Sequence, residues 1–182
     1  MGKALGMIEF KTVSAGVTAT DTMVKTAAVE LIEAQTVCPG KYIALISGDI
    51  SAVDAAVATA KHTREEEFID SFVLGNPHPG IFPAIYGATQ VEHISSLGIL
   101  ETYDASSIIV AADEAAKAAE VELIELRIAK GMCGKSYVFL CGEVSAVDAA
   151  IARAKAKVAE SGMYLDSSVI AHPDPQLCKS IL

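Results

Sequence analysis

The chain contains two copies of one pattern, and this repeat constrains the fold more than any other feature of the sequence. The segment LGMIE at Leu5–Glu9 returns as LGILE at Leu97–Glu101, and VELIE at Val29–Glu33 returns unchanged, both after 92 residues. The segment SGDISAVDAA at Ser47–Ala56 returns as CGEVSAVDAA after 94 residues, and DSFVLGNPHP from Asp70 returns as DSSVIAHPDP after 96. Each change of spacing falls between matching blocks, where loops and helix ends tolerate insertions.

The matching blocks predict two tandem domains, at residues 1–90 and 94–182, joined within the segment 87–96. Two long copies indicate a tandem duplication and not a solenoid array. The chain is 52% hydrophobic but only 5% aromatic. We therefore expect each domain core to be built from small and branched aliphatic side chains, which suit close packing of helices on a sheet.

Hydrophobic periodicity predicts the order β-α-β-β-α-β in each copy, the ferredoxin-like arrangement of the α/β (α+β) class. In the first copy the predicted strands are ALGMIEF, VELIEAQTV, KYIALISG and FIDSFVLGN, and the predicted helices are VTATDTMVKTAAV and AVDAAVATAKHTREE. The segment PGIFPAIYG is expected to add a short helix. The spacing of Ser51 and Asp54, and of Ser145 and Asp148, predicts a capping box at the start of the second helix in each copy.

Charge and the N-terminal sequence exclude several classes of partner and location. The net charge of -9 disfavours binding to nucleic acid, which requires a surplus of Lys and Arg, and to anionic membrane surfaces. The N-terminus lacks the apolar core of a secretory signal, and no apolar run reaches transmembrane length. We therefore expect a cytoplasmic protein, in which the four cysteines are free thiols or metal ligands and not disulfides.

The sequence shows no catalytic motif. It has no HExxH, and SGDIS lacks the second glycine and the Lys-Ser/Thr of a phosphate loop. The histidines are not combined with serine, cysteine or aspartate in any catalytic pattern. We therefore expect a protein that is not an enzyme.

The segments LGMIE, MVKTAAVELIE, GKYIALISGDISAVDAA and DSFVLGNPHP occur in an order that resembles the bacterial microcompartment (BMC) shell domain. The resemblance extends over both copies, and it is closest to a tandem-domain, trimer-forming shell protein of the propanediol-utilisation compartment. It implies an unpermuted pair of BMC domains, a homotrimer that forms a pseudohexameric tile, and contacts with other BMC shell proteins at the tile edges. The implied location is a microcompartment in the cytoplasm.

The resemblance also implies which residues lie at the tile edge. Lys25 and Lys117, 92 residues apart, match the lysine through which neighbouring tiles meet. Asn76 and His172 occupy the position of the edge arginine of the family. Because neither residue is arginine, we expect altered hydrogen bonding between tiles.

The resemblance places the turn between the second and third strands of each copy, Thr36–Lys41 and Lys130–Lys135, at the central pore. A homotrimer would therefore bring three copies of Cys38 together on the three-fold axis. The residues that the resemblance assigns to the pore lining are Val37, Cys38, Pro39, Gly40, Met132 and Cys133.

The resemblance implies that the three converging Cys38 thiolates hold a 4Fe-4S cluster shared by three chains, with one iron open to an outside ligand. Pro39 would stiffen the turn, and we expect the Gly40 N–H to point at a sulfide. A cluster at this position would carry electrons across the shell, to or from encapsulated redox enzymes, or would allow passage of a cluster or of iron.

Several alternatives remain open at this stage. Without a metal, Cys38 would only narrow a pore for small metabolites, and three thiolates also suit a single Zn²⁺. The ferredoxin-like fold alone is compatible with a small-ligand regulatory module. Cys133 would be either a further ligand or a small side chain at the pore. Cys141 is expected to be buried, and Cys178 to be exposed or packed on the surface.

Overall fold

The computed structural model describes residues 4–181. Contacts between residues divide the chain into two compact units, the first ending at Pro77 and the second beginning at His78. Each unit contains a four-stranded sheet and is described by itself.

The first unit has the predicted order of elements. These are β1 (Ala4–Phe10), α1 (Val13–Thr26), β2 (Glu30–Val37), β3 (Lys41–Gly48), α2 (Ile50–Thr63) and β4 (Phe68–Leu74), with a 3-10 turn at Glu65–Glu67. The strand order is β2-β3-β1-β4, and all neighbouring strands are antiparallel. This topology confirms the ferredoxin-like prediction.

One face of the first sheet is covered by α1 and α2, and β1 carries a glycine where α2 approaches most closely. A Cβ atom added to Gly6 would lie 2.6 Å from Val53 Cγ1 and 2.9 Å from Val57 Cγ2. Both valines belong to α2 and are buried. The absence of a side chain at Gly6 therefore sets the distance between α2 and the sheet.

The second unit repeats this architecture and adds a short helix at each end. Its elements are α3 (Ile81–Ile85), β5 (Ser96–Thr102), α4 (Ala105–Ala118), β6 (Val121–Arg127), β7 (Ser136–Gly142), α5 (Val144–Ala159), β8 (Tyr164–Ala171) and α6 (Pro175–Ile181). The strand order is β6-β7-β5-β8, again antiparallel throughout. The short helix predicted in PGIFPAIYG is confirmed as α3, whereas α6 was not predicted.

The segment that contains α3 packs within the second unit, against β6 and α4. The domain limits predicted from the repeat, 1–90 and 94–182, placed this segment with the first copy. A repeat marks where a sequence pattern begins again, whereas the packing of a connecting segment depends on the side chains it meets. By contacts, the chain divides between Pro77 and His78, a few residues after β4 ends.

The predicted capping boxes are wrong. The helix α2 begins one residue before Ser51, with Asp49 as its N-cap, and α5 begins before Ser145, with Glu143 as its N-cap. Neither N-cap makes a side-chain hydrogen bond to the helix. Side-chain caps occur instead on the first helix of each copy, where Thr12 accepts a hydrogen bond from Ala15 N and Asp104 accepts one from Ser107 N.

An apolar cluster of the second unit includes residues from all four strands of its sheet. It joins the segment before β5 to the sheet and to α6. Its members are Val91, Ile94, Leu97, Ile99, Ile124, Phe139, Cys141, Ile170, Cys178 and Ile181. No helix within residues 4–181 has the length and apolar character needed to cross a bilayer.

Candidate functional site

Cys38 lies at the tip of the hairpin between β2 and β3. The last residue pair of the ladder is Val37 and Lys41, so that Cys38, Pro39 and Gly40 form the connection. The Cys38 side chain is partly exposed, and Pro39 and Gly40 are exposed, whereas Val37 is buried. Of the first-copy residues assigned to the pore, Cys38, Pro39 and Gly40 are thus accessible.

The turn is closed by the backbone of Gly40. Its N–H donates a hydrogen bond to the Val37 carbonyl over 2.9 Å, and its φ of 92° is in the region that favours glycine. A Cβ at this position would meet nothing within 4 Å, so the space beside the turn is open. The expectation that the Gly40 N–H points at a sulfide is therefore wrong, because this donor is used inside the turn.

Lys41 is directed away from the turn. Its Nζ forms an ion pair with the carboxylate of Glu9 on β1, whose side chain is only 4% exposed. A buried carboxylate requires such a partner. The ion pair stabilises the base of the hairpin, and Cys38 remains the only ionisable group among the three residues of its tip.

The corresponding connection in the second unit, residues 128–135, is longer. Ala129 N donates to Ser136 Oγ over 3.0 Å, and Lys135 N donates to Met132 O over 3.1 Å. Met132 is partly exposed and Cys133 is exposed. Cys133 adopts a φ of 53°, a left-handed conformation that is uncommon for residues other than glycine.

A polar cluster beside this connection was not anticipated from the sequence. Tyr137 Oη donates to Glu125 Oε2 over 2.8 Å, and the Arg127 guanidinium binds the same carboxylate while lying 5.5 Å from the centre of the Tyr137 ring. Burial and the bond to Glu125 raise the pKa of Tyr137 to about 12, and the bond to Glu125 raises the pKa of Arg127. Glu125 and Arg127 are two residues apart on β6 and thus on one face, which is the signal that could have identified the pair.

The residues assigned to the tile edge lie at corresponding positions in the two units. Lys25 Nζ binds Asp21 Oδ2 and Lys117 Nζ binds Asp113 Oδ2, each over 2.7 Å. Asn76 and His172, just after β4 and β8, are both exposed and both left-handed, with φ of 52° and 51°. The two copies therefore present the same local geometry at these positions.

The BMC domain family matches the chain twice, at residues 4–77 and 96–173. The protein belongs to the BMC-domain family. The matched ranges contain both four-stranded sheets and both hairpins described above.

Similar shell proteins support this assignment, and one of them does so over the full chain. The bacterial microcompartment shell protein PduT of Citrobacter freundii is 36% identical over 182 residues, which covers all of this chain and 99% of that protein. The carboxysome shell protein CcmK2 of Thermosynechococcus vestitus is 34% identical over 82 residues, or 43% of this chain and 80% of that protein. The chain is thus a shell protein of a bacterial microcompartment with two BMC domains.

A solved structure agrees with the fold of this BMC protein. A microcompartments protein from Desulfitobacterium hafniense DCB has a TM-score of 0.94 and 42% identity, covering 98% of this chain and 99% of that one. The fused permuted hexameric shell protein MSM0275 from the RMM microcompartment has a TM-score of 0.61 at 21% identity, covering 87% and 82%, and shows the fold alone.

The remaining two cysteines of this BMC protein, Cys141 and Cys178, are buried and partly buried. Cys141 is 3% exposed, which confirms the buried position predicted for it, and burial raises its thiol pKa to about 11. Cys178 is partly buried, with its Sγ 3.9 Å from the Pro173 carbonyl. Within residues 4–181 no three His, Cys, Asp or Glu side chains lie close enough together to hold a metal ion.

Proposed function

We propose that this shell protein forms a homotrimer whose six BMC domains make one tile, and that the three Cys38 thiolates hold a 4Fe-4S cluster at its three-fold axis. The observation that carries the proposal is the position of Cys38, a partly exposed thiol at the tip of a three-residue hairpin connection in a two-domain BMC chain. In this proposal the edges of the tile contact further BMC shell proteins. The role of the protein is structural and not enzymatic.

The residues of the hairpin are compatible with such a site. The thiol is accessible, and the open space beside Gly40 leaves room for a bulky group next to it. Three thiolates satisfy three of the four irons of a cubane cluster and leave one iron for an outside ligand. When bound, the cluster would supply one-electron transfer through the shell, or an exchangeable store of iron, for encapsulated redox enzymes.

The chain itself contributes the thiol and a rigid support for it. The Gly40 N–H bond to Val37 holds the turn closed, and the Lys41–Glu9 ion pair ties its base to β1. Both groups are therefore engaged within the chain and do not offset charge at the site. The reduction potential would then be set by groups other than these two.

This engagement also favours a second candidate function. Since the tip offers sulfur but neither a free Gly40 N–H nor a free Lys41 ammonium, a metal-free tile whose central opening passes small metabolites is the alternative. Cys38 would then be a small side chain at the constriction.

Anaerobic reconstitution with iron and sulfide separates the two candidates. We expect a brown protein with about four irons per three chains, an EPR signal after reduction, and loss of both in Cys38→Ser. The matched control is Cys133→Ser, which changes the exposed cysteine of the second unit and is expected to keep the cluster. A colourless wild-type protein without iron would contradict the cluster proposal and leave the metal-free metabolite opening. A Cys38→Ser variant that retains iron would contradict the assignment of the cluster to Cys38.

A further inference from the structure

The helices α1 and α4 occupy the same place in the two copies, but one face of α1 is exposed where that of α4 is buried. The exposed fractions of Val13, Val17 and Val24 are 41%, 49% and 40%. At the helical repeat of 3.6 residues, these three side chains lie within about 40° of one another. Their counterparts 92 residues later are Ala105, Ile109 and Ala116, with exposed fractions of 1%, 0% and 8%.

The segment that follows Pro77 lies on α4. The backbone N–H of His78 donates to Asp113 Oδ1 over 2.7 Å, while Asp113 Oδ2 binds Lys117. A few residues further, α3 packs against α4 and β6, and its residue Ile81 is completely buried. The segment is thus anchored by a backbone hydrogen bond and by buried apolar side chains, of which Ile81 is the largest.

The second copy of this segment follows Pro173, and it has the same local conformation. Asp174 corresponds to His78 after the shift of 96 residues. Asp174 Oδ1 accepts the N–H of Gln176 over 2.8 Å, as His78 Nδ1 accepts the N–H of Gly80 over 3.2 Å. In both copies the side chain therefore folds forward onto the backbone two residues later.

The apolar residue of this second segment is exposed. Leu177 corresponds to Ile81 and has an exposed fraction of 39%, whereas that of Ile81 is 0%. On α1, Asp21 corresponds to Asp113. Asp21 Oδ2 lies 2.7 Å from Lys25 Nζ, the same distance as between Asp113 Oδ2 and Lys117 Nζ, and the Asp21 side chain is 58% exposed. The α1 face and the segment after Pro173 thus correspond to the two partners of the contact on α4, but their apolar side chains are exposed to solvent.

We propose that the α1 face formed by Val13, Val17, Asp21 and Val24 binds residues 173–181 of a second copy of this chain. The Asp21 carboxylate accepts the Asp174 N–H of the second copy, and Leu177 of the second copy is buried at the contact. This inference rests on the trimer proposed above and names the junction between its chains. Each chain donates one segment and accepts another, so the interface is heterologous and closes into a ring.

The test measures assembly by native mass spectrometry and light scattering over a range of concentrations. Val17→Lys and Leu177→Lys each place an ammonium in the proposed junction, from opposite sides, and each is expected to weaken assembly about tenfold or more. Thr26→Lys is the matched control, because Thr26 is exposed on the same helix and its counterpart Ala118 is also exposed. The control is expected to assemble like the wild type.

A mixture of the two variants gives the sharper result. The Val17→Lys chain keeps an intact C-terminal segment and the Leu177→Lys chain keeps an intact α1 face, so one sound junction is available per pair. We expect heterodimers in the mixture at concentrations at which neither variant alone assembles. Circular dichroism verifies that both variants are folded, and because they alter opposite sides of the junction, each provides an independent result.

The outcomes distinguish this inference from the proposal it rests on. A wild-type protein that stays monomeric at every concentration would overturn both the trimer and the junction. A wild-type trimer that both variants form equally well would overturn the junction alone. A mixture that yields no heterodimer would likewise exclude a heterologous contact at these residues.

Discussion

The hydroxyl of Tyr137 on β7 donates a hydrogen bond to the carboxylate of Glu125 on β6 over 2.8 Å. The bond favours the protonated phenol, and together with burial it raises the pKa of Tyr137 to about 12, from an ordinary value of 10.0. The pair connects the two strands next to the long connection 128–135 of the second unit, which Glu125 precedes and Tyr137 follows. Ionisation of the Tyr137 phenol would therefore remove a hydrogen bond that holds the two ends of that connection together.

The first prediction concerns this titration. The folded pKa is above the unfolded one, so the contribution of Tyr137 to stability is complete below pH 10 and is lost as the pH rises towards 12. Ultraviolet absorption of tyrosinate, compared between the wild type and Tyr137→Phe, isolates this group. Glu125→Gln is expected to lower the pKa only partly, because burial is the larger cause. An unchanged pKa in Glu125→Gln would show that the negative charge of Glu125 does not act on the phenol.

The second prediction concerns the contact between α2 and the first sheet. Gly6→Ala places a methyl group 2.6 Å from Val53 Cγ1, and we expect it to lower the free energy of unfolding by about 1–3 kcal/mol. Gly75→Ala is the control, since its Cβ would meet only Ile50 Cδ1 at an ordinary 3.7 Å. Differential scanning calorimetry measures both variants, and equal midpoints would contradict the close approach.

The third prediction concerns the left-handed backbone at Cys133. Since a side chain is disfavoured at a φ of 53°, Cys133→Gly is expected to stabilise the protein by up to about 1 kcal/mol. Cys133→Ala retains the Cβ and is expected to give no such gain. Thermal unfolding of the two variants, measured side by side, provides the comparison. A Cys133→Ala variant as stable as Cys133→Gly would show that the backbone conformation is not the cause.

The fourth prediction concerns thiol reactivity. Cys141 is buried and its thiol pKa is raised to about 11, so it should react with iodoacetamide at pH 8 far more slowly than the exposed Cys133. Mass spectrometry of timed samples identifies each modified cysteine. In denaturant all four cysteines are expected to react at similar rates. Rapid native labelling of Cys141 would mean that the strand β7 opens readily.

The fifth prediction concerns the tile edge proposed for Lys25, whose side chain is 73% exposed. Lys25→Ala is expected to weaken the association of tiles into sheets while leaving the trimer intact, because an exposed ion pair such as Lys25–Asp21 contributes little to folding. Electron microscopy detects sheets, and light scattering detects trimers. Loss of the trimer in this variant would show that Lys25 also supports the proposed junction between chains, through its ion pair with Asp21.

The order of elements could be predicted from the sequence because it is a local property that the chain records twice. The blocks around Leu5 and Leu97 have the same strand pattern, and each folds into a strand that pairs with two neighbours in its sheet. The hairpin position of Cys38 followed from the same pattern. The helix starts at Asp49 and Glu143 could not be found in this way, because neither residue makes the side-chain bond that defines a capping signal.

The sequence by itself thus determined the duplication, the ferredoxin-like order and the place of Cys38 on a turn, since repeats and hydrophobic periodicity are readable along the chain. Only the tertiary structure decided what surrounds these features. It showed that the Gly40 N–H is used by Val37, that Lys41 pairs with Glu9, and that α3 packs with the second unit. These depend on groups far apart in sequence, or on the exact closure of a turn, and neither leaves a periodic signal in the order of residues.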